Sequence, residues 1–432
     1  MYCKMRRLLL LLLLPFQVPA FAQDFDTWFE DATLRLDYVF GGSHSQSGVF
    51  LDEMSRSDGW YGRRHNLSRP PLLGNGQVYV TDVESGDTIY ANSFTSLFLE
   101  WIATEESRRV SKCFEHPVLV PMPRKAANVA IRLNNAHQDA IAEMSFTVEP
   151  QDILIKRYPR NQVLPTHYIG KRRNPRKVID IAILPEGYTS GEMALFHKDA
   201  EAARAAILAH EPFKSMADRF NFVVVDVPSF HSGNSLPREG KWRHTACGSN
   251  FDTFYSERYN TTKRLRQVHD LLQGIPYEHI LILTNSDTYG GGGFYNNYCI
   301  ASAHADWATE VIVHEFGHSF AGLGDEYATN DGYDNYYPAD REPWEQNITT
   351  LHDFASKWQD MLPAGTVIPT PEVGGADRFT RIGVYEGAGY QSKGVYRPVV
   401  DCRMRVNEVE DFCPVCQRAI TRMIRFYTEQ TH

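Results

Sequence analysis

The residues best suited to chemistry stand in the stretch IVHEFGHSFAGLGDEY, residues 312 to 327. His314 and His318 are four positions apart, so on a helix both lie on one face and could bind one metal ion. Glu315 lies about 100° further round that helix, where it could hold a water molecule and accept its proton. The stretch therefore predicts the site of a zinc hydrolase with Glu315 as general base.

Two histidines on an ordinary amphipathic helix are the alternative interpretation. His314 and His318 fall in an apolar part of the predicted helix, where imidazoles without a metal would need other partners. The helix is predicted to begin near Asp306, and it breaks at Gly322 and Gly324 immediately before two acidic residues. These surroundings favour one catalytic zinc ion over a chance occurrence of the motif.

The third ligand must come from the turn after the helix. The stretch resembles the metzincin pattern HExxHxxGxxH or HExxHxxGxxD, in which the third ligand follows six residues after the second histidine. Gly324 occupies that position and Ala321 replaces the usual glycine, so the turn is predicted to be one residue longer. Asp325 is the predicted ligand and Glu326 the alternative. The acid that does not bind the metal could form a hydrogen bond to one of the ligands.

A second group of candidates lies in DCRMRVNEVEDFCPVCQR, residues 401 to 418. Met404 could form the methionine turn that lies beneath the metal in metzincins, or it could be a core methionine. Cys402, Cys413 and Cys416 include a CxxC spacing, but the neighbouring sequence offers no fourth donor for a zinc site. We expect a disulfide between Cys402 and one of the other two, with a structural zinc closed by a remote ligand as the alternative.

The chain begins MYCKMRRLLLLLLLPFQVPAFAQDF. A basic start, an apolar run shorter than the roughly 20 residues of a membrane span, and small residues at the end predict a signal peptide over residues 1–22. The mature chain, from about Gln23, is expected to be exported to the periplasm or secreted. No later segment is apolar enough to span a membrane.

The charge balance bears on partners. The chain has 44 basic and 53 acidic residues, and removal of the three basic residues of the signal peptide leaves 41 against 53, or −12. An acidic chain of this kind argues against nucleic acid or an anionic membrane as a partner. A protein or peptide substrate is expected.

The elements that must position these residues fall into two parts. Between about residues 30 and 155, GQVYVTDV, DTIYANSF, NVAIRLNN and AEMSFTVEP alternate apolar and polar residues, which predicts a β-sandwich domain over residues 23–160. A basic, proline-containing segment, residues 161–177, is predicted to be a linker.

The catalytic domain is predicted over residues 178–432. The apolar runs in VIDIAILPEGY, RFNFVVVDVPS and HILILTNSD alternate with helical patterns, so the fold class is α/β or α+β with a mostly parallel sheet. The glycine run in TYGGGGFYNNY lacks the lysine of a phosphate loop and is expected to let a loop pass close to another backbone. The next stretch, YNNYCIASAH, is predicted to be an edge strand along which an extended substrate could pair.

Five stretches together resemble the immunoglobulin A peptidase family of bacterial zinc metallopeptidases. They are IDIAILPEGYTSGEM, TACGSNFDTFYSERY, ILTNSDTYGGGGFYNNY, VIVHEFGHSFAGLGDEY and YEGAGYQSKGVYRPVVDCRMRVNEVEDFCPVC. The resemblance implies a metzincin-like domain that binds zinc through His314, His318 and an acidic residue, preceded by a β-sandwich domain. Ala321 departs from the glycine expected there, which affects the turn and not the metal.

The predicted reaction is peptide hydrolysis, with Tyr390 or Tyr396 as a further electrophile, although both tyrosines could equally be packing residues. One alternative is an exported glycan- or protein-binding module whose metal is structural, and another is a zinc amidase acting on cell-wall peptides. Glu315 favours an enzyme over the binding module, because a structural zinc site uses four protein ligands and has no need of a glutamate between its histidines.

Overall fold

The computed structural model describes residues 24–158, 163–329 and 336–430. The predicted signal peptide lies outside these ranges. The chain combines helices with several β-sheets, as the mixed fold class predicted. None of the helices in the described ranges is long and apolar enough to cross a membrane.

The N-terminal part consists mainly of strands. Its elements are α1 (Phe25–Trp28), β1 (Phe29–Ser43), β2 (Gln46–Asp58), β3 (Gly76–Asp82), β4 (Thr88–Phe94), α2 (Leu97–Trp101), β5 (Lys112–Pro123), β6 (Ala127–Asn134), β7 (Ala140–Val148) and β8 (Lys156–Arg157). They form two four-stranded sheets, in the orders β5-β1-β2-β8 and β4-β3-β6-β7. The four strands that the alternating stretches predicted are β3, β4, β6 and β7. The long strands β1, β2 and β5 were not individually predicted.

The C-terminal part contains a larger sheet and most of the helices. Its elements are β9 (Thr166–Tyr168), β10 (Ile179–Glu186), α3 (Met193–Ile207), β11 (Phe220–Val225), β12 (Ser249–Asn250), β13 (Thr261–Thr262), α4 (Leu265–Leu271), β14 (His279–Thr284), β15 (Gly291–Gly293), β16 (Tyr298–Ser302), α5 (Ala308–Ala321), α6 (Asp377–Thr380), β17 (Tyr385–Ala388), β18 (Gln391–Arg397) and α7 (Pro414–Thr428).

Six of these strands form one sheet in the order β15-β16-β14-β10-β11-β9. The four inner strands run parallel, and β15 and β9 are antiparallel to their neighbours. The division into domains stays a prediction, but β9 lies within the segment predicted as a linker and pairs with β11.

The position predicted for the edge strand is wrong. Strand β16 pairs with β14 on one side and with β15 on the other, so it is an inner strand. The glycine run itself forms the outermost strand β15, and Tyr259 bridges to Gly291 on its outer side. Strand propensity gave no indication of β15, because three glycines have no side chains to show an alternating pattern.

Both faces of the six-stranded sheet are buried, and β10 shows how. Ile181 and Ile183 belong to a hydrophobic cluster with α3, α5 and α7, whereas Ala182 and Leu184 belong to a cluster shared with the two N-terminal sheets. Because side chains alternate along a strand, α3, α5 and α7 cover one face, and the N-terminal part together with α4 covers the other. Helix α5 therefore lies with α3 and α7 on one face of the sheet, and the opposite face packs against the N-terminal part.

Candidate metal centre

Helix α5 carries the HExxH motif. The helix begins at Ala308, close to the predicted start near Asp306, and it is preceded by Trp307, which has a left-handed φ of 61° and no side-chain cap. The side chains predicted to face the core are buried, namely Val311, Ile312, Phe316 and Phe320. The helix ends at Gly322, whose φ of 57° suits a residue without a Cβ.

The structure brings His314, His318 and Asp325 together. The Nε2 atoms of the two histidines are 3.0 Å apart, and Asp325 Oδ1 lies 3.1 Å from that of His314 and 3.3 Å from that of His318. The histidine side chains are 15% exposed and that of Asp325 is 5% exposed. Two nitrogens and one carboxylate oxygen therefore converge on a point that is open to solvent on one side.

The other nitrogen of each ring fixes its orientation. Nδ1 of His314 lies 2.9 Å from the carbonyl oxygen of Arg403, and Nδ1 of His318 lies 2.6 Å from that of Leu323. Since a carbonyl oxygen only accepts, both Nδ1 atoms must donate, and each Nε2 atom is therefore the one directed at the other ring and at Asp325. Two Nε2 atoms and one carboxylate oxygen that converge in this way are a ligand set that fits a zinc ion.

The charges of these groups are strongly coupled. Although burial alone would lower it, the Asp325 carboxylate raises the pKa of His318 to about 9. Burial opposes ionisation of Asp325 too, but the two imidazoles hold the pKa of its carboxyl well below its usual range. The site therefore keeps a carboxylate beside positive charge even though it is largely closed to water.

Glu326 does not join this group. Its backbone N–H donates to the carbonyl oxygen of Met404 at 2.8 Å, and its Oε1 accepts from Asn347 Nδ2 at 2.9 Å. The same Oε1 lies 3.1 Å from the sulfur of Cys416. The two adjacent acids therefore point to different places, and only Asp325 reaches the histidines.

Glu315 lies on the side of α5 that faces the glycine strand β15. A Cβ placed on Gly293 would lie 2.4 Å from the Glu315 carbonyl oxygen and 3.1 Å from its Oε2, and one on Gly291 would lie 2.9 Å from its Cγ. Glycines are thus required for the helix to approach the strand so closely. Burial raises the pKa of Glu315, which makes the carboxylate a stronger base.

Met404 is buried against α5 at Gly317. A Cβ placed on Gly317 would come within 2.8 Å of the Met404 sulfur, so this glycine leaves room for the methionine. The residue before Met404 is Arg403, whose carbonyl oxygen accepts from His314. The turn around Met404 therefore contacts the helix directly under the histidines.

The two candidate tyrosines differ in position. The hydroxyl of Tyr390 donates to Asp325 Oδ2, so Tyr390 lies at the site. The backbone of Tyr396 pairs with Thr349, and the charges that act on its side chain are those of Glu386 and Lys393. The structure therefore favours Tyr390 as the tyrosine of the site.

Several further residues near the site could not be found from the motif. Glu100, from helix α2 of the N-terminal part, accepts a hydrogen bond from Tyr259, and burial raises the pKa of Glu100 to about 7. The charges that act on it include those of His318 and Glu315. The guanidinium of Arg258 lies 5.8 Å from the ring centre of Tyr327, and its charge acts on Glu315. These side chains come from distant segments without any chemical motif of their own.

The cysteines predicted to form a disulfide do not form one here. All six cysteines of the described residues are free, and the sulfurs of Cys402 and Cys416 are 3.8 Å apart. A disulfide has sulfurs about 2.05 Å apart. As predicted, the neighbouring sequence supplies no fourth donor, but Glu326, which is remote in sequence, lies among these cysteines as the alternative of a remote ligand requires.

Comparison with known families is consistent with this geometry. A family model described as IgA Peptidase M64 matches residues 169–381 and 372–424, which include both the HExxH helix and the turn around Met404. A second model, described as Peptidase M64 N-terminus, matches residues 24–145. No curated protein matches the chain.

Proposed function

The chain belongs to the IgA peptidase M64 family and is a peptidase, and on that premise we propose that it is an exported zinc-dependent endopeptidase. The observation that carries the metal is the convergence of His314 Nε2, His318 Nε2 and Asp325 Oδ1. When bound there, zinc would lower the pKa of a coordinated water and polarise the scissile carbonyl group. The peptide substrate is expected to enter from the side on which the histidines are exposed.

Glu315 is the proposed general base. It follows His314 directly on α5, and its carboxylate lies beside Gly291 and Gly293 of β15. Its raised pKa suits a group that takes a proton from water and then passes it to the leaving amine. The glycine strand β15 leaves no room for the helix to move towards the sheet, which keeps the carboxylate in place.

Tyr390 is the proposed electrophile for the developing oxyanion. Its hydroxyl is already at the site through its bond to Asp325 Oδ2. Burial and the neighbouring Asp325 charge raise the pKa of Tyr390 well above its ordinary value, so the phenol stays protonated and able to donate.

The proposal extends to the fold and to export. The two N-terminal sheets share one hydrophobic cluster, which supports a β-sandwich, and the four parallel inner strands of the larger sheet support a metzincin-like catalytic domain. Export depends on residues 1–22, and the N-terminal sequence of the protein recovered outside the cytoplasm would test it.

The deciding experiment compares the wild type with Glu315→Gln for zinc content and for cleavage of a broad peptide library. Glu201→Gln, on the exposed face of α3, is the matched control. We expect Glu315→Gln to keep its zinc and to lose at least about 1,000-fold of kcat, because the base has gone but the ligands remain. Full zinc occupancy with no cleavage by the wild type, or normal cleavage by Glu315→Gln, would refute the proposal.

A further inference from the structure

A second cluster of metal-binding side chains lies away from the HExxH histidines. Its members are Glu326, Cys402, Cys413 and Cys416, and one ligand atom from each lies within 4.8 Å of those of the others. Every member is buried, with at most 2% of the residue exposed. A carboxylate is costly to bury without a partner, and here it lies among three thiols that could bind the same ion.

The distances suit a tetrahedral metal site. Zinc binds sulfur at about 2.3 Å, so a tetrahedron holds neighbouring sulfurs about 3.8 Å apart. The sulfurs of Cys402 and Cys416 are separated by 3.8 Å, and that of Cys416 lies 3.1 Å from Glu326 Oε1. The sulfur-to-sulfur distance therefore matches a tetrahedral site, and all four ligand atoms lie close enough together to surround one ion.

Backbone N–H groups support thiolates in this cluster. The N–H of Cys413 donates to the sulfur of Cys402 at 3.2 Å, and the N–H of Cys416 donates to that of Cys413 at 3.5 Å. Cys413 is also the N-cap of helix α7, where the helix dipole favours negative charge. These contacts would stabilise the negative charge that the sulfurs carry as zinc ligands.

Among the described residues, no lysine, arginine or histidine side chain forms an ion pair or a hydrogen bond with a member of this cluster. Glu326 is fully buried, and its Oε2 has no hydrogen-bond partner among the described residues. The guanidinium of Arg397, whose charge acts on Glu326, donates to the carbonyl oxygens of Glu386, Gly387 and Val400 and to the Glu372 carboxylate. A bound cation would satisfy the remaining carboxylate oxygen.

We propose that Glu326, Cys402, Cys413 and Cys416 bind a second, structural zinc ion. Four protein ligands would close its coordination shell, so this ion would hold the fold together and take no part in hydrolysis. It would join the loop after α5, the turn around Met404 and the start of α7. The site does not depend on the peptidase function, since its ligands are separate from those of the first ion.

The test is metal content combined with cobalt substitution in the full mature chain. The wild type should hold two zinc ions per chain, and His314→Ala should hold one. Cys413→Ser should also lose one, whereas Cys113→Ser, at an exposed cysteine, should lose none. With cobalt in place of zinc, the thiolate-to-cobalt absorption band should persist in His314→Ala and disappear in Cys413→Ser.

The His314→Ala variant keeps the test decisive if Cys413→Ser does not fold. One remaining metal with a thiolate band supports the second site, and the absence of either overturns it. Peptide mapping of the wild type without reductant gives an independent check. Free thiols after chelation are expected, and a Cys402–Cys416 disulfide in the purified protein would overturn the proposal.

Discussion

Gly293→Ala is the substitution whose effect follows most directly from the geometry. The added Cβ would lie 2.4 Å from the carbonyl oxygen of Glu315 and 2.8 Å from His318 Cβ. Real Cβ atoms essentially never approach other heavy atoms closer than 3.0 Å, so β15 and α5 must separate by at least about 0.6 Å. The obstructing atom belongs to the backbone and cannot rotate away.

The size of the effect follows from that displacement. Inserting a methyl group into a packed interface costs about 1–3 kcal/mol. A shift of about 1 Å in a catalytic group costs about 100-fold in rate, so we expect kcat/KM to fall by about 10- to 100-fold. The zinc content should change less than the rate, because the histidines keep their carbonyl partners.

Gly191→Ala is the matched control, since a Cβ there would meet nothing within 4 Å and its φ is not positive. Both variants would be compared with the wild type by urea unfolding, zinc content and kcat/KM on a peptide from the library that the wild type cleaves. If Gly293→Ala matched Gly191→Ala within twofold in kcat/KM and 0.5 kcal/mol in stability (roughly the scatter of surface substitutions), the close contact between β15 and α5 would not position Glu315.

Three other substitutions test separate parts of the structure. Tyr390→Phe should lower kcat by about 100-fold with zinc content unchanged, and a loss below twofold would remove Tyr390 from the mechanism. Asn347 is fully buried, accepts from the Gly324 N–H and donates to Glu326, so Asn347→Ala should cost about 3 kcal/mol in urea unfolding; a cost below 1 kcal/mol (roughly one ordinary hydrogen bond) would contradict this. Burial raises the pKa of Asp180 from 3.8 to about 7. Its protonated form is therefore favoured by folding, and that stability is present in full at low pH and lost as the pH rises through about 7. In the wild type, the free energy of unfolding should fall by roughly 4 kcal/mol between about pH 4 and pH 8, and Asp180→Asn should remove this fall. If the variant kept the pH profile of the wild type, Asp180 would not be the source of the fall.

The sequence predicted the local features of the site well. The spacing of His314 and His318 placed both on one helix face because the helical period is fixed, and the buried side of α5 followed from the same period. For the third metal ligand, the sequence could only favour Asp325 over Glu326 without deciding between them. It depends on Asn347 and Met404, which hold the turn from distant parts of the chain.

Features without a local pattern were missed. Strand β15 consists of glycines, so neither strand propensity nor an alternating pattern could reveal that β15, and not β16, lies at the edge of the sheet. Glu326 stands far upstream of the three cysteines, and spacing within the CxxC segment could not identify it as their neighbour. Glu100 lies near the site but belongs to the N-terminal part, for which no catalytic role was predicted.

The N-terminal part packs, together with α4, against one face of the six-stranded sheet, and this has a consequence for how the protein can be divided. Residues 178–432 expressed alone would present Ala182, Leu184, Ile280 and Ile300 to water, on a face that is normally fully covered. We expect that fragment to aggregate and the intact chain to melt in a single transition. The protein would then fold as a single unit. A chimaera that carries the N-terminal part of a relative would fold only if the apolar residues of the covered sheet face were also taken from that relative.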